Sequence, residues 1–251
     1  MARAAVLGRL SWLVADVVDI RDETATARTL VLKVAGWPGH LAGQHVDVRL
    51  TAPDGYVAER SYSIASAPDG ELVELTVQFV SDGEVSSYLI GEARVGDQIE
   101  LRGPIGGWFV WRPAQAEPVL MLAGGSGLVP LMSMIRSRTS GGSRAPFRLI
   151  YSAREPADAL YTSELSGLAA DAAAGVDVSW VWTRRAPSGS PRPPGRIDRD
   201  LLEHAGWPPE LDPTTYICGP TGFVELAAEL LIDLGHDPAR IRTERFGPTG
   251  G

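Results

Sequence analysis

The stretch Pro118-Val119-Leu120-Met121-Leu122-Ala123-Gly124-Gly125-Ser126-Gly127-Leu128-Val129-Pro130 decides how the second half of the chain is read. Val119 to Ala123 is an unbroken apolar run of strand length, the pattern of a strand covered on both faces. Three glycines within four residues follow. Pro130 then suits the first turn of a helix, where its missing N–H costs nothing. Downstream the pattern repeats. Strand candidates Phe147–Ser152, Val176–Thr183, Thr215–Cys218 and Ile241–Phe246 alternate with helical candidates Val129–Thr139, Asp158–Ala173 and Thr221–Leu234. This alternation predicts a doubly wound parallel sheet with helices on both faces.

Upstream the periodicity changes. Trp12–Ile20, Thr29–Val34, His45–Thr51, Glu59–Ile64, Leu72–Phe79 and Gln98–Arg102 read as short alternating or β-branched strands. Pro53-Asp54-Gly55 and Pro68-Asp69-Gly70 are turn signals, in which proline presets the backbone and glycine accepts positive φ. One helical stretch, Val85 to Glu92, interrupts them. The expectation is a six-stranded antiparallel Greek-key β-barrel over residues 1–112 and an α/β domain over 117–251, joined at the polar stretch Arg112 to Pro118. The loop Ala186 to Gly195, rich in Pro, Ser and Gly, reads as a mobile surface segment.

Composition limits the function. The chain has 251 residues, 44% hydrophobic and 22% charged, enough to bury a core without staples. A formal net charge of −8 argues against sequence-independent nucleic-acid binding. Cys218 is the single cysteine, so no disulfide, all-cysteine zinc site or iron–sulfur cluster can form from this sequence. No signal peptide or spanning segment is legible, and a cytoplasmic setting is the expectation. His40, His45, His204 and His236 lack metal-ligand spacing, and no G-x-S-x-G elbow supports a hydrolase.

Four segments carry chemistry. Arg60-Ser61-Tyr62-Ser63 combines a cation, a flat ring and hydroxyls in four residues, and on a strand Arg60 and Tyr62 share a face. That set suits a flavin's phosphates, ring and N5 edge, although an ordinary strand also carries such residues. Gly124, Gly125, Ser126 and Gly127, before a helix, allow close approach of a pyrophosphate to free N–H groups. Gly125 and Gly127 fit a G-x-G-x-x-G fingerprint, but Pro130 stands in place of its third glycine. Cys218-Gly219-Pro220 ends a strand at the edge where open α/β sheets bind ligands, where the thiol either faces a reacting group or is a small buried hydrophobe. Arg154 and Arg184 follow strand ends, and with Arg185 and Arg196 they suit a phosphate monoester.

These segments, with Gly83-Glu84-Val85-Ser86-Ser87-Tyr88-Leu89 and Gly103-Pro104-Ile105-Gly106-Gly107-Trp108-Phe109, occur in an order that resembles the ferredoxin–NADP⁺ reductase family from about Trp12 to Gly251. The resemblance implies an FAD-dependent NAD(P)H oxidoreductase. Arg60 would pair with the flavin pyrophosphate, with Ser61 beside it. Tyr62 would pack on the isoalloxazine, and Ser63 would bond near N5. Gly83, Glu84, Val85 and Ser86 would open a helix onto the pyrophosphate, a feature that goes with FAD rather than FMN. Gly124, Gly125, Ser126 and Gly127 would contact the nicotinamide nucleotide, with Cys218, Gly219 and Pro220 at the nicotinamide. Glu244 and Phe246 would line the flavin site. Arg154, Arg184 and Arg196 resemble positions that hold the 2′-phosphate of NADP⁺, so NADPH is expected over NADH. Many relatives carry a cysteine-liganded iron–sulfur module. With one cysteine here, the electron acceptor is expected to be separate, such as a ferredoxin. The alternatives are a flavin-holding subunit or regulator of a larger redox complex, or a free-flavin or ferric reductase.

Overall fold

A computed structural model describes residues 10–52 and 54–247. The first part contains β1 Trp12–Thr24, β2 Ala27–Val34, β3 His45–Thr51, β4 Val57–Ser63, β5 Leu72–Gln78, the helix α1 Glu84–Gly91, and β6 Gln98–Ile105. The strands form one antiparallel sheet in the order β4-β3-β6-β1-β2-β5. A bridge between Ile64 and Leu75, and the bond from Ala65 N–H to Glu74 O (2.8 Å), join the two edges and close the barrel. Strand alternation explains the interior: Leu30, Leu32, Val46, Val48, Leu75 and Leu101 are all 1% exposed or less and fill it. Each such side chain stabilises the barrel by roughly 1.5–3 kcal/mol.

The second part contains β7 Val119–Gly124, α2 Leu128–Ser140, β8 Phe147–Ala153, α3 Thr162–Ala170, β9 Val176–Trp182, α4 Arg199–Ala205, β10 Thr214–Pro220, α5 Thr221–Asp233 and β11 Ile241–Phe246. Its parallel sheet runs β11-β10-β7-β8-β9. Every residue of β7 is buried, because both faces are covered. Val119, Met121 and Ala123 pack with α2 and α3, whereas Leu120 and Leu122 pack with α4 and α5. Ala42, Ala65, Phe109 and Trp111 of the first part join the same cluster as α2. That helix is therefore buried on nearly all sides, between the barrel and the sheet.

Three elements differ from expectation. The helix expected over Asp158–Ala173 begins only at Thr162, because Tyr161 adopts φ 52° while burying its ring. Helix α4 was not anticipated; it buries only Leu202 and so has almost no periodic signal, although Asp198 caps it by accepting from Leu201 N–H (3.0 Å). Finally, Ile64 lies beyond β4, where it serves the closure of the barrel.

Candidate functional site

The parallel sheet has its topological switch between β7 and β10. β7 leads through α2 to β8 on one side, and β10 lies on the other. Ligands of such sheets bind outside the strand ends at this point. Two turns nest there. A Cβ on Gly127 would overlap the carbonyl of Cys218, and one on Gly219 would lie 3.1 Å from Gly124 Cα. Above Gly125, which has φ +55°, the space is open. The glycines thus pack backbone on backbone below and leave an accessible main chain above.

Cys218 pairs in register with Ala123 on one side and Glu244 on the other. Burial, and then the nearby Glu244 carboxylate, push the Cys218 thiol well up, so it is held protonated. Burial also pushes the Glu244 carboxyl up to about 7, and its oxygens have no hydrogen-bond partner among the described residues. Arg242, two residues away, donates to Val110 O (2.9 Å) and Trp108 O (3.2 Å), which ties β11 to the barrel's exit. Phe246 ends β11 beside Pro220 and is 36% exposed.

On the barrel, Arg60 lies opposite Val48 and Tyr62 opposite Val46, so the two share the face that continues the barrel interior. Burial pushes the Tyr62 phenol up to about 12. Arg60 is exposed, and its guanidinium's one hydrogen bond among the described residues goes to Glu59 O (2.7 Å). Ser61 points the other way and donates to Asp47 Oδ1 (2.7 Å), which leaves Ser63 as the hydroxyl without a side-chain bond among the described residues. Helix α1 starts beside the beginning of β4, where Tyr56 meets Glu84, with no side-chain cap at Gly83, so the N–H groups of Glu84, Val85 and Ser86 precede its first backbone bond, Ser87 N–H to Gly83 O. A Cβ on Gly83 would stand 2.6 Å from Ser86 Oγ. The Ser86 hydroxyl is already committed to Val80 N–H and Gly83 O, so this serine offers a ligand only its backbone. The Glu84 carboxylate is turned to Tyr56 OH (3.0 Å).

Arg154 and Arg184 are brought together by the bond from Arg184 N–H to Arg154 O (2.9 Å), and Gly195 N–H to Trp182 O (2.9 Å) brings Arg196 to the same edge. All three are exposed and enter no ion pair among the described residues. Arg185 and Arg192, in contrast, are bound to Glu155 and Asp198. Beside them lies an open depression of about 500 Å³ lined by Arg184, Pro187 and Ser190. Sequence reasoning missed Phe223, whose ring approaches Gly124 and Gly219; its one signal was an aromatic residue three positions beyond Pro220 of the Cys218-Gly219-Pro220 turn. It also missed every side chain that links the two sheets, for which no local signal exists.

Residues 15–110 match the family model of the oxidoreductase FAD-binding domain, and residues 121–229 that of the oxidoreductase NAD-binding domain. The chain is 31% identical over 238 residues to the ferredoxin–NAD(P)(+) reductase component of the naphthalene 1,2-dioxygenase/salicylate 5-hydroxylase systems of Ralstonia sp., covering 93% of this chain and 69% of that one. Among solved structures it resembles the FAD/NAD-binding domain of nitric oxide dioxygenase from Vibrio cholerae O1 biovar El Tor (TM-score 0.83, 24% identity, 94% and 99% of the two chains). It also resembles a ferredoxin–NADP⁺ reductase from Neisseria gonorrhoeae with bound FAD and NADP (TM-score 0.79, 23% identity, 93% and 98%). No helix among the described residues is long and apolar enough to cross a membrane.

Proposed function

The chain belongs to the ferredoxin–NADP⁺ reductase family of FAD- and NAD(P)-binding oxidoreductases, and on that premise we propose how its residues divide the work. It is a flavoprotein NAD(P)H oxidoreductase that passes electrons to a carrier. Bound FAD supplies the chemistry of accepting a hydride at N5 and releasing its electrons to an acceptor.

Residues 1–112 serve the flavin and 117–251 the nucleotide. Arg60, which has no carboxylate partner among the described residues, and the uncapped N–H groups of Glu84 to Ser86 hold the FAD pyrophosphate. Tyr62 offers a half-buried ring face, and Ser63 a free hydroxyl for the N5 edge. Ser61 supports the strand through Asp47. The backbone of Gly124, Gly125, Ser126 and Gly127 receives the nicotinamide nucleotide, with Gly219 and Pro220 closing its other side. The Cys218 thiol stays neutral there and excludes water. The Glu244 carboxyl, poised near neutral pH, holds or exchanges a proton beside it. Phe246 shields the flavin face. Arg154, Arg184 and Arg196 take the 2′-phosphate and favour NADPH over NADH. The acceptor is a separate redox protein such as a ferredoxin, and the single buried thiol suits a reducing, cytoplasmic compartment.

One observation carries this reading: the interlocked Gly124–Gly127 and Cys218–Pro220 turns at the sheet's switch point, with Glu244 in register beside the cysteine. Purified protein should be yellow and should bleach when NADPH is added without oxygen, more slowly with NADH. Colourless protein that takes up no FAD would sink the reading, and equal rates with both nucleotides would remove the 2′-phosphate assignment.

A further inference from the structure

Ile64, Ala65 and Ser66 directly follow Ser63, and the carbonyls of Ala65 and Ser66 both accept hydrogen bonds from α2. Arg136 donates to Ala65 O (3.0 Å), and Ser133 Oγ donates to Ser66 O (2.6 Å). His40 completes the set. Its Nδ1 accepts from Trp37 Nε1 (3.2 Å), so its Nε2 carries the proton and donates to Ser66 O (3.1 Å). Arg136 also reaches Glu74 Oε2 (3.0 Å) on β5 and holds Glu164 of α3 with both remaining arms (2.9 and 2.6 Å). Ser133 is fully buried and Ser66 is 9% exposed, so water does not compete for these bonds.

Ser133 and Arg136 are three apart and share a helical face. Their helix begins at the glycine turn, and Ser133 lies only about 9 Å along the axis from Gly127. A single rigid element therefore ends in the turn assigned to the nicotinamide nucleotide and grips the two residues after the serine assigned to flavin N5. Farther along α2, the Arg138 guanidinium donates to Ala145 O and Ala174 O and, among the described residues, makes no hydrogen bond to the barrel.

We propose that Ser133 and Arg136 are positioning residues for hydride transfer, setting the distance between the Ser63 strand end and the Gly124–Gly127 turn through the carbonyls of Ser66 and Ala65. The proposal rests on the site assignments above. Hydride transfer is sensitive to sub-ångström spacing of the reacting atoms, whereas binding either cofactor alone is not. The two effects therefore separate in measurement.

The test is anaerobic stopped-flow reduction of the FAD-loaded full chain by NADPH, read as the limiting reduction rate, the nucleotide Kd, and the long-wavelength absorbance of stacked nicotinamide and flavin. For Ser133→Ala the expected result is a roughly tenfold slower limiting rate, with weaker long-wavelength absorbance and Kd within about twofold of wild type. Arg136→Met should be slower still, with partial rescue in Arg136→Lys, which keeps the charge and one bond. Arg138→Met is the control: it removes a buried arginine of the same helix, lowers the melting temperature, and leaves the limiting rate unchanged. Wild-type rates in Ser133→Ala and Arg136→Lys, or slowing by Arg138→Met as large as that by Arg136→Met, would overturn the proposal while leaving the functional reading intact. Wild-type protein that neither nucleotide reduces would overturn both.

Discussion

The two ends of the nucleotide edge are built on opposite principles. At β7 and β10 the site is backbone against backbone: Gly127 leaves no room for a Cβ, one on Gly219 would crowd Gly124 and Phe223, and Cys218 is 2% exposed. At β8 and β9 the site is made of exposed side chains, Arg154 and Arg184, on adjacent strand ends with free space around them. The first arrangement, as proposed, would fix where a reacting ring sits, and changing it would disturb the packing of the two turns. The second, as proposed, would select among ligands by charge, and its side chains lie at the surface, outside the core. The proposed assignments would thus place chemistry on tightly packed backbone and specificity on exposed side chains.

The largest effect expected from this contrast is at Gly127. Gly127→Ala forces the Cys218 carbonyl aside, an overpacking cost of about 1–3 kcal/mol, and a displacement near 1 Å there should slow flavin reduction on the order of 100-fold. Stopped-flow reduction together with thermal unfolding checks this, and wild-type kinetics would break the contrast. The arginine end should behave differently. Arg154→Ala with Arg184→Ala should raise KM for NADPH by roughly 10–100-fold, with little change for NADH or in melting temperature. A parallel loss for both nucleotides would refute the division.

Arg60→Ala should weaken FAD retention by about tenfold, measured by equilibrium dialysis, because one charge-assisted contact is lost at an exposed position. The smallest effect is a pH dependence at Glu244. Its folded-state pKa, about 7, lies above the ordinary value of 4.5. The associated stability is therefore complete below about pH 4.5 and is lost as the pH rises through about 7. In flavin-free protein, Glu244→Gln should remove that slope, a change on the order of 1–2 kcal/mol once partial exposure is allowed for. Parallel melting curves for both proteins between pH 5 and 8 (roughly the span over which such groups titrate) would count against the buried carboxyl.

Strand positions were readable because a strand's environment is written in its own residues. The alternation around Leu30, Leu32 and Leu75 announces a one-sided interior, and the unbroken run in β7 announces two covered faces. The turns were readable for the same reason: Gly124 to Gly127 and Cys218 to Pro220 are contiguous. Helix α4 escaped because seven residues with one buried leucine have no period to detect. The helix start before α3 escaped because Tyr161 takes a left-handed backbone that its own sequence disfavours, held by its buried ring and its bond to Thr76.

What the amino-acid sequence determined by itself was the order of strands and helices, the glycine turns, and the types of residue gathered for each chemical task, since these follow from side-chain periodicity and local backbone freedom. Only the tertiary structure decided which hydroxyls were spent internally, as at Ser61 and Ser86, and which make no side-chain bond among the described residues, as at Ser63. It alone brought Cys218 beside Glu244 and set Ser133 and Arg136 against Ala65 and Ser66. Those pairings join residues 26 to 71 positions apart, and a polar side chain on α2 looks the same in sequence whether it meets water or the barrel. Burial by distant elements, which no local pattern encodes, turned them into structure.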